Sequence, residues 1–343
     1  MTGTSVLNEC DVTAAVIVGL GGLGRRHARN LKQLNPSIRL TGCRTRSTSV
    51  EDLGEDGDLF DRIEYGIDRA LVSNPQFAVV ASPASQHVNH ALQLARAGVD
   101  LLIEKPLSDT FKGVQELVDE CRQRAVKLAI GYNLRFEPSL QAVKRAVDEK
   151  LIGRVLAIRA EVGQYLPDWR PGRDYRQTVS AQAALGGGPL LELSHEFDYV
   201  RWLVGDVRTV VANVGRVGDL DIDVPDVADV LLDIESGALG TVHLDMLDRA
   251  SIRRCRVVGT DGTVAWNALE RSAKLFSHRS RTWVDLAVPV GSETDTYLAE
   301  MEHWLSFSGA NDSPIARGED GLKALKIALA AAESAATGRK VAL

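Results

Sequence analysis

The sequence predicts an α/β domain over residues 1–133 and a second, α+β domain over residues 134–343. The first observation is length, because 343 residues exceed the size of one ordinary hydrophobic core. The second is that short apolar runs alternate with helical patterns as far as Asn133, which is typical of a parallel sheet covered on both faces. Beyond that point apolar and polar residues alternate, as in strands with one packed face.

In the first domain, apolar runs predict strands at residues 14–18, 38–42, 77–81, 101–103 and 128–130. Helical patterns predict helices at residues 25–34, 87–97 and 111–125, and Asn35-Pro36 ends the first of them. Segment 47–61 is acidic and weakly patterned, so we predict a loop region there.

The second domain is expected to begin with a helix at residues 138–151. Strands are predicted at residues 154–165, 207–217, 227–234 and 241–247, with hairpin turns at Ser236-Gly237 and Asp261-Gly262. The chain closes with an alanine-rich helix at residues 321–336, which can pack back on the first domain.

Composition excludes several classes of protein. Apolar residues make up 45% and charged residues 25%, as in a globular protein, and the net charge of −6 argues against nucleic acid or an anionic membrane as the main partner. No apolar run is long enough to cross a bilayer, and the N-terminal segment lacks the pattern of a secretory signal. The cysteines, far apart in the sequence, favour reduced thiols over a disulfide framework or a zinc site: Cys10, Cys43, Cys121 and Cys255. We therefore predict a cytoplasmic protein.

Residues 19–24 read Gly-Leu-Gly-Gly-Leu-Gly and fit the dinucleotide-binding pattern G-x-G-x-x-G. The motif follows a predicted strand and opens a predicted helix, so the helix N-terminus can receive a pyrophosphate. The alternative is a glycine-rich turn without a ligand. The residues expected to contact the dinucleotide are Gly19, Gly21, Gly22 and Leu23.

The end of the second strand indicates which dinucleotide is preferred. An NAD site usually has a carboxylate about 20 residues after the glycines, which binds the ribose 2′-hydroxyl. Here Arg44 stands 20 residues beyond Gly24, with Arg46 close by. Two guanidinium groups suit a 2′-phosphate, so we predict that NADP(H) is the preferred cofactor, with NAD(H) as the alternative. The opposing interpretation is a pair of solvated arginines.

A lysine is predicted at the ligand-binding edge of the parallel sheet. Glu104-Lys105-Pro106 follows the strand at residues 101–103, and open parallel sheets bind ligands at the carboxyl ends of their strands. A lysine beside a nicotinamide could donate or accept the proton that accompanies hydride transfer. Taken alone, a Lys-Pro turn is usually a surface feature.

In the second domain Glu192, His195 and Asp198 are spaced three residues apart, so on one helix they would share a face. A metal site and a structural histidine are two interpretations of this spacing. The interpretation we prefer is an imidazole directed at the reacting oxygen of a substrate and oriented by a neighbouring carboxylate. We predict no metal.

Taken in order, these motifs resemble the Gfo/Idh/MocA family, which includes glucose–fructose oxidoreductase and inositol dehydrogenase. The resemblance extends over essentially the whole chain, through residues 16–27, Ala81-Ser82-Pro83 with His87, residues 104–106, Gly131-Tyr132-Asn133 with Arg135 and Pro138, residues 186–198, residues 202–205 and residues 318–321 before the last helix. The family usually has Asp and then His four residues later, whereas Glu192 precedes His195 by three.

The resemblance implies a Rossmann domain joined to a domain with a large, open, mainly antiparallel sheet, through which members often form homo-oligomers. By position, Lys105 corresponds to the family's catalytic lysine and His195 to its catalytic histidine. Further matching positions line the cofactor or the substrate; they are Ser82, Pro83, His87, Glu104 and Asn133 on the cofactor side, and Arg135 and Glu192 on the substrate side.

Segment 165–176 indicates the kind of substrate. It contains Trp169, Arg170, two further arginines and two tyrosines in a loop with proline and glycine. Aromatic rings stack on sugars and arginines bind phosphate or carboxylate, so an activated or acidic sugar would suit Trp169 and Arg170. A structural or interface loop is the alternative, and the segment has a looser resemblance to family members of polysaccharide biosynthesis.

The sequence thus predicts an NADP(H)-dependent oxidoreductase that moves a hydride to or from a sugar alcohol or ketone carbon. Lys105 would exchange the proton and His195 would hold the oxygen. An NAD-dependent inositol or polyol dehydrogenase is the nearest alternative. The alternative from another class is a non-catalytic regulatory protein that binds dinucleotide and sugar.

Overall fold

The structure, a computed structural model, describes residues 12–44, 50–288, 295–306 and 313–343. Its first part alternates strands with helices. The strands are β1 (Ala14–Val18), β2 (Arg39–Arg44), β3 (Arg62–Tyr65), β4 (Phe77–Val80), β5 (Asp100–Ile103) and β6 (Leu128–Ile130). The helices are α1 (Gly22–Leu34), α2 (Ile67–Leu71), α3 (Ala84–Arg96) and α4 (Val114–Gln123).

The second part of the chain is dominated by strands. After helix α5 (Pro138–Asp148) come β7 (Val155–Gly163), α6 (Pro189–Glu192), α7 (His195–Val204), β8 (Val207–Gly215), β9 (Val227–Ile234), β10 (Leu239–Asp245), β11 (Ile252–Gly259), β12 (Gly262–Asn267), β13 (Ser272–Ser277) and β14 (Thr282–Asp285). The last elements are α8 (Thr296–Leu305), β15 (Ala316–Arg317), α9 (Gly318–Thr337) and β16 (Val341–Ala342).

The first sheet has the strand order β15-β6-β5-β4-β1-β2-β3, with β1 to β6 parallel. All residues of β1 and β4 are buried because helices cover both faces, which explains their uninterrupted apolar sequences. Strand β1 pairs with β2 on one side and with β4 on the other, so the direction in which successive strands are added to the sheet reverses beside β1. Ligands bind at such a switch point, outside the carboxyl ends of the strands. The predicted α/β fold class is confirmed.

The second sheet has the order β14-β13-β12-β11-β7-β10-β9-β8-β16 and is antiparallel apart from the β7–β10 pair. Along β9 the side chains of Ala228, Val230, Leu232 and Ile234 are buried while Leu231 is exposed. One face therefore packs against α5, α7 and α9, and the other faces outward. This confirms the predicted open, mainly antiparallel sheet.

The end of the chain returns to the first sheet. Strand β15 adds an antiparallel edge to β6, and α9 packs against both α4 and β6 as well as against α7 and β8. None of the helices in the described ranges is long and apolar enough to span a membrane.

Candidate active site

A cleft of about 1080 Å³ opens at the carboxyl ends of β1, β4 and β5. One wall consists of the glycine loop after β1, the Ser82–Pro83 loop after β4 and the Lys105–Pro106 turn after β5. The opposite wall comes from segment 164–179 of the second part of the chain. Each part of the chain thus contributes one wall, and the predicted dinucleotide loop and predicted substrate segment face the same space.

The glycine loop has the shape that a pyrophosphate requires. A Cβ atom on Gly24 would lie 1.9 Å from the carbonyl oxygen of Gly19, so the third glycine permits close packing of α1 on the loop. A Cβ on Gly21 or Gly22 would meet no described atom within 4 Å, because both glycines line the cleft. Helix α1 begins at Gly22 with no acidic residue in its first turn, so its N-terminus can receive an anion. The loop therefore fits a dinucleotide.

Lys105 lies at the cleft edge of the same wall. Its Nζ donates a hydrogen bond to the backbone carbonyl oxygen of Glu192 at 2.7 Å, and the ammonium group is directed across the cleft toward the second part of the chain. Its backbone N–H donates to Glu104 Oε2 at 3.2 Å. The lysine is half-buried and lines the cleft, as its predicted proton-transfer role requires.

Glu104 is buried beneath this turn and is paired with a histidine from α1. Its Oε1 lies 2.6 Å from Nε2 of His27, whose side chain is fully buried. Burial alone would raise the pKa of Glu104, but the hydrogen bond from His27 and the charges of His27 and Lys105 hold the pKa below its usual value. An ionised carboxylate therefore braces the backbone of the proposed catalytic lysine.

His195 is the first residue of α7 and does not itself line the cleft. Its ring meets Tyr132 edge-on at 5.6 Å, and its Nδ1 is buried with no hydrogen-bond partner in the described chain. The prediction that a neighbouring carboxylate orients the imidazole of His195 is therefore wrong. Burial, helped by the charges of Lys105 and Arg253, holds the pKa of His195 well below its usual value, so the ring is neutral near pH 7.

Glu192, His195 and Asp198 do not share a helical face. Helix α6 ends at Glu192 and α7 begins at His195, so the single helix on which the spacing would align all three residues does not form. Glu192 lines the cleft, and its Oε2 accepts a hydrogen bond from Ser180 at 2.8 Å. No group of three or more His, Cys, Asp or Glu residues in the described ranges could hold a metal ion.

Arg135 and Asn133 lie outside the cleft lining. The guanidinium of Arg135 is 4% exposed and donates to both carboxylate oxygens of Asp198, at 2.8 and 2.6 Å. Asn133 is buried and donates to Oγ1 of Thr296 at 2.6 Å. Arg135 is thus committed to a buried ion pair, so we do not retain it as a substrate residue, and Asn133, bound to Thr296, is not among the residues that line the cleft.

Segment 165–176 presents two unpaired arginines to the cleft. Arg170 and Arg173 both line it and are exposed, and neither guanidinium forms an ion pair with a described residue. Arg176, by contrast, is held by Asp174 at 2.8 Å. Trp169 also lines the cleft, with its Nε1 donating to the carbonyl oxygen of Gln164 at 3.0 Å.

The end of β2 lies directly beside the glycine loop, since the N–H of Gly19 donates to the carbonyl oxygen of Cys43 at 2.9 Å. Arg44 is the last residue of β2 and its side chain is 8% exposed. Arg46 lies outside the described residues. The predicted NADP(H)-selecting position is therefore adjacent to the dinucleotide loop.

Tyr297, on α8, is a cleft residue that sequence reasoning missed. The guanidinium of Arg26 stacks over its ring at 4.1 Å and pairs with Asp295 at 2.9 Å. The signal was present in the sequence, because Asp295 caps α8 and apolar residues follow at helical spacing.

Two family profiles match the chain. One, described as the oxidoreductase family with an NAD-binding Rossmann fold, matches residues 13–132, and the other, described as the GFO/IDH/MocA C-terminal domain, matches residues 140–265. The chain belongs to the Gfo/Idh/MocA family. It is an NAD-binding oxidoreductase, as the resemblance predicted.

Individual family members are similar over nearly the whole length. The myo-inositol 2-dehydrogenase of Thermotoga maritima is 28% identical over 350 aligned residues, which cover 95% of this chain and 97% of that protein. Levoglucosan dehydrogenase in complex with NADH superposes with a TM-score of 0.80 at 20% identity, over 96% of this chain and 98% of that one. The WlbA dehydrogenase from Bordetella pertussis, in complex with NADH and UDP-GlcNAcA, superposes with a TM-score of 0.81 at 22% identity, over 97% and 99%. The two structures share the fold of this Gfo/Idh/MocA protein.

Proposed function

We propose that this protein is a cytoplasmic, NADP(H)-dependent oxidoreductase that acts on a secondary alcohol or ketone carbon of a sugar or activated sugar. The observation that carries the proposal is the Lys105 ammonium, which stands in one cleft with a loop shaped for a dinucleotide. The dinucleotide, when bound, supplies the hydride chemistry. Residues Gly19, Gly21, Gly22 and Leu23 would hold it, with Ser82 and Pro83 on the next loop.

The proton chemistry belongs to the chain's own residues. Lys105 exchanges the proton of the substrate oxygen. His195 does not line the cleft in this structure, so its proposed hydrogen bond to that oxygen requires the substrate complex to expose its neutral ring. The experiment is a turnover assay with NADPH and NADP⁺ over neutral hexoses, inositols, hexuronates and nucleotide-linked hexoses. Turnover of one or more of these supports the proposal, and its absence with all of them contradicts it.

We expect tighter binding of NADPH than of NADH, because Arg44 and Arg46 stand where NAD sites usually carry a carboxylate. Fluorescence titration of the two reduced cofactors measures the ratio of their dissociation constants. Arg44→Asp should lower that ratio, since it removes a cation and places a negative charge beside the 2′-phosphate. Equal affinities in the parent protein, or an advantage for NADH, would contradict the cofactor assignment.

The two unpaired guanidiniums on the cleft wall favour an anionic sugar. Arg170 and Arg173 form no ion pair with a described residue, whereas Arg176 is paired with Asp174. Trp169 provides an aromatic surface on the same wall. In the turnover assay, hexuronates or nucleotide-linked hexoses should therefore exceed neutral sugars in kcat/KM. The second candidate function, an NAD-dependent inositol or polyol dehydrogenase, is favoured by the Thermotoga maritima relative and predicts the reverse order.

We further propose that the protein is a homo-oligomer, a dimer or tetramer, that associates through the outward face of the second sheet. That face lines a depression of about 830 Å³, with charged side chains on β7 and β11 and the apolar Leu231 on β9. Leu231 is 57% exposed, and Leu239, outside the depression on the outward face of β10, is 61% exposed. Light scattering decides the proposal, because a monomer would have a mass of 37.2 kDa.

A further inference from the structure

The buried imidazole of His87 joins the two cleft loops that follow β4 and β5. His87 lies in the first turn of α3 and is 1% exposed. Its Nδ1 lies 2.8 Å from the carbonyl oxygen of Pro106, and its Nε2 lies 2.6 Å from the carbonyl oxygen of Ser82. Pro106 directly follows Lys105, and Ser82 lines the cleft on the other loop. A single side chain therefore binds the backbone of both loops.

The two bonds differ from an ordinary histidine contact because both partners are carbonyl oxygens. A carbonyl oxygen only accepts, so each bond needs an N–H of the ring, and only the doubly protonated ring has two. Burial, with a smaller contribution from the charge of Lys105, holds the pKa of His87 below its usual value, although the two bonds and the charge of Glu104 act in the opposite direction. The neutral ring keeps one bond, so the connection is strongest in the cation.

A second histidine binds only one of these loops. His90, one helical turn along α3, has its Nδ1 2.9 Å from Oγ of Ser82. Burial lowers the pKa of His90 to about 4, so its neutral ring accepts a hydrogen bond from the hydroxyl. Within the described chain His90 has no hydrogen bond to the lysine turn. It is therefore the natural control for a residue that binds both loops.

We propose that His87 is a positioning residue, which fixes the Lys105 turn at a set distance from the Ser82 loop and thereby from the bound dinucleotide. Without this bond, two buried backbone carbonyls lose their partner and the turn can move relative to the loop. The inference rests on the proposed function only in assigning proton transfer to Lys105. The link between the loops stands on the two contacts of the buried ring, at 2.8 and 2.6 Å, of which the neutral ring makes one as a hydrogen bond and the cation makes both.

The kinetic arm of the test compares His87→Phe, which has no donor, with His87→Gln, whose amide nitrogen carries two N–H groups. We expect kcat of His87→Phe to fall by up to about 100-fold, because small displacements of a reacting group are costly. NADPH affinity should fall by a smaller factor than kcat, because the glycine loop is untouched and only the Ser82 loop, the second loop proposed to hold the dinucleotide, is released. His87→Gln should recover much of kcat. A His87→Phe variant with the parent kcat would overturn the proposal.

Hydrogen exchange measured by mass spectrometry provides the arm that needs no turnover. In NADPH-saturated His87→Phe, amides in segments 81–86 and 104–108 should exchange faster together, while segment 19–24 stays unchanged. In His90→Gln only segment 81–86 should respond. Faster exchange in one of the two segments alone, or evenly along the chain, would overturn the link.

The kinetic and hydrogen-exchange measurements distinguish failure of the proposed function from failure of the proposed His87 link. A parent protein without turnover on any sugar, but with paired exchange changes, contradicts the proposed function and supports the link. If His87→Phe does not accumulate as folded protein, His87→Asn replaces it, because its shorter amide reaches at most one carbonyl. Exchange confined to both loop segments in that variant supports the proposal, and unchanged exchange overturns it.

Discussion

Lys105→Met is expected to bind NADPH with the affinity of the parent and to lose most of its turnover, by about 10²–10⁴-fold in kcat. Methionine is close to lysine in length and can replace the packing of a half-buried stem. It cannot exchange a proton, and it cannot donate to the carbonyl oxygen of Glu192, which Lys105 Nζ reaches at 2.7 Å. The measurement is kcat and NADPH affinity on whichever sugar the turnover assay identifies.

Two companion variants set the scale of this effect. Lys112→Met removes an exposed lysine seven residues along the chain that does not line the cleft, so its kcat should remain that of the parent. His195→Asn should lose less than Lys105→Met, because an amide can still form the hydrogen bond that the neutral imidazole is proposed to make. A Lys105→Met protein that binds NADPH and retains near-parental kcat would refute the assignment. A parent protein that binds cofactor and sugar without turnover would point instead to a binding role.

The parts of the fold that the sequence predicted are those whose burial is uniform. Strands β1 and β4 are buried at every residue, so they appear as continuous apolar runs. Strand β3 was missed because it is partly exposed throughout, with Tyr65 40% accessible to solvent. It is recognisable only from its pairing with β2, which depends on residues far away in the chain.

The residues of the candidate site were also predictable from the sequence only where their context is local. The glycine loop and Lys105 were predicted because their context is local: a strand immediately precedes each of them. The ion pair between Arg135 and Asp198 joins residues 63 positions apart, so no local sequence pattern indicates it. The break between α6 and α7 has no clear local signature either, because Ser194 precedes α7 without a side-chain cap hydrogen bond and the spacing of Glu192, His195 and Asp198 fits one continuous helix equally well.

Gly24→Ala is expected to be among the most damaging single-methyl changes in the first domain. The added Cβ would lie 1.9 Å from the carbonyl oxygen of Gly19, which belongs to backbone and cannot rotate away. Gly19 itself cannot yield, because it has φ +89° and packs against the backbone of Ala81 and Ser82. The helix and the loop must therefore separate, at a cost of about 3 kcal/mol in the free energy of unfolding. Denaturant unfolding measures this loss.

Gly21→Ala is the matched control, because it adds the same methyl group to the same loop. Gly21 has φ −73° and no described atom lies within 4 Å of the added Cβ, so stability should remain that of the parent. The methyl group would nevertheless occupy the cleft where the backbone must approach a pyrophosphate, so NADPH affinity should fall. Gly24→Ala with parental stability would contradict the close approach of α1 and the loop. Gly21→Ala with parental NADPH affinity would show that the dinucleotide does not bind against this backbone, because a ligand in contact with Gly21 would clash with the added methyl group.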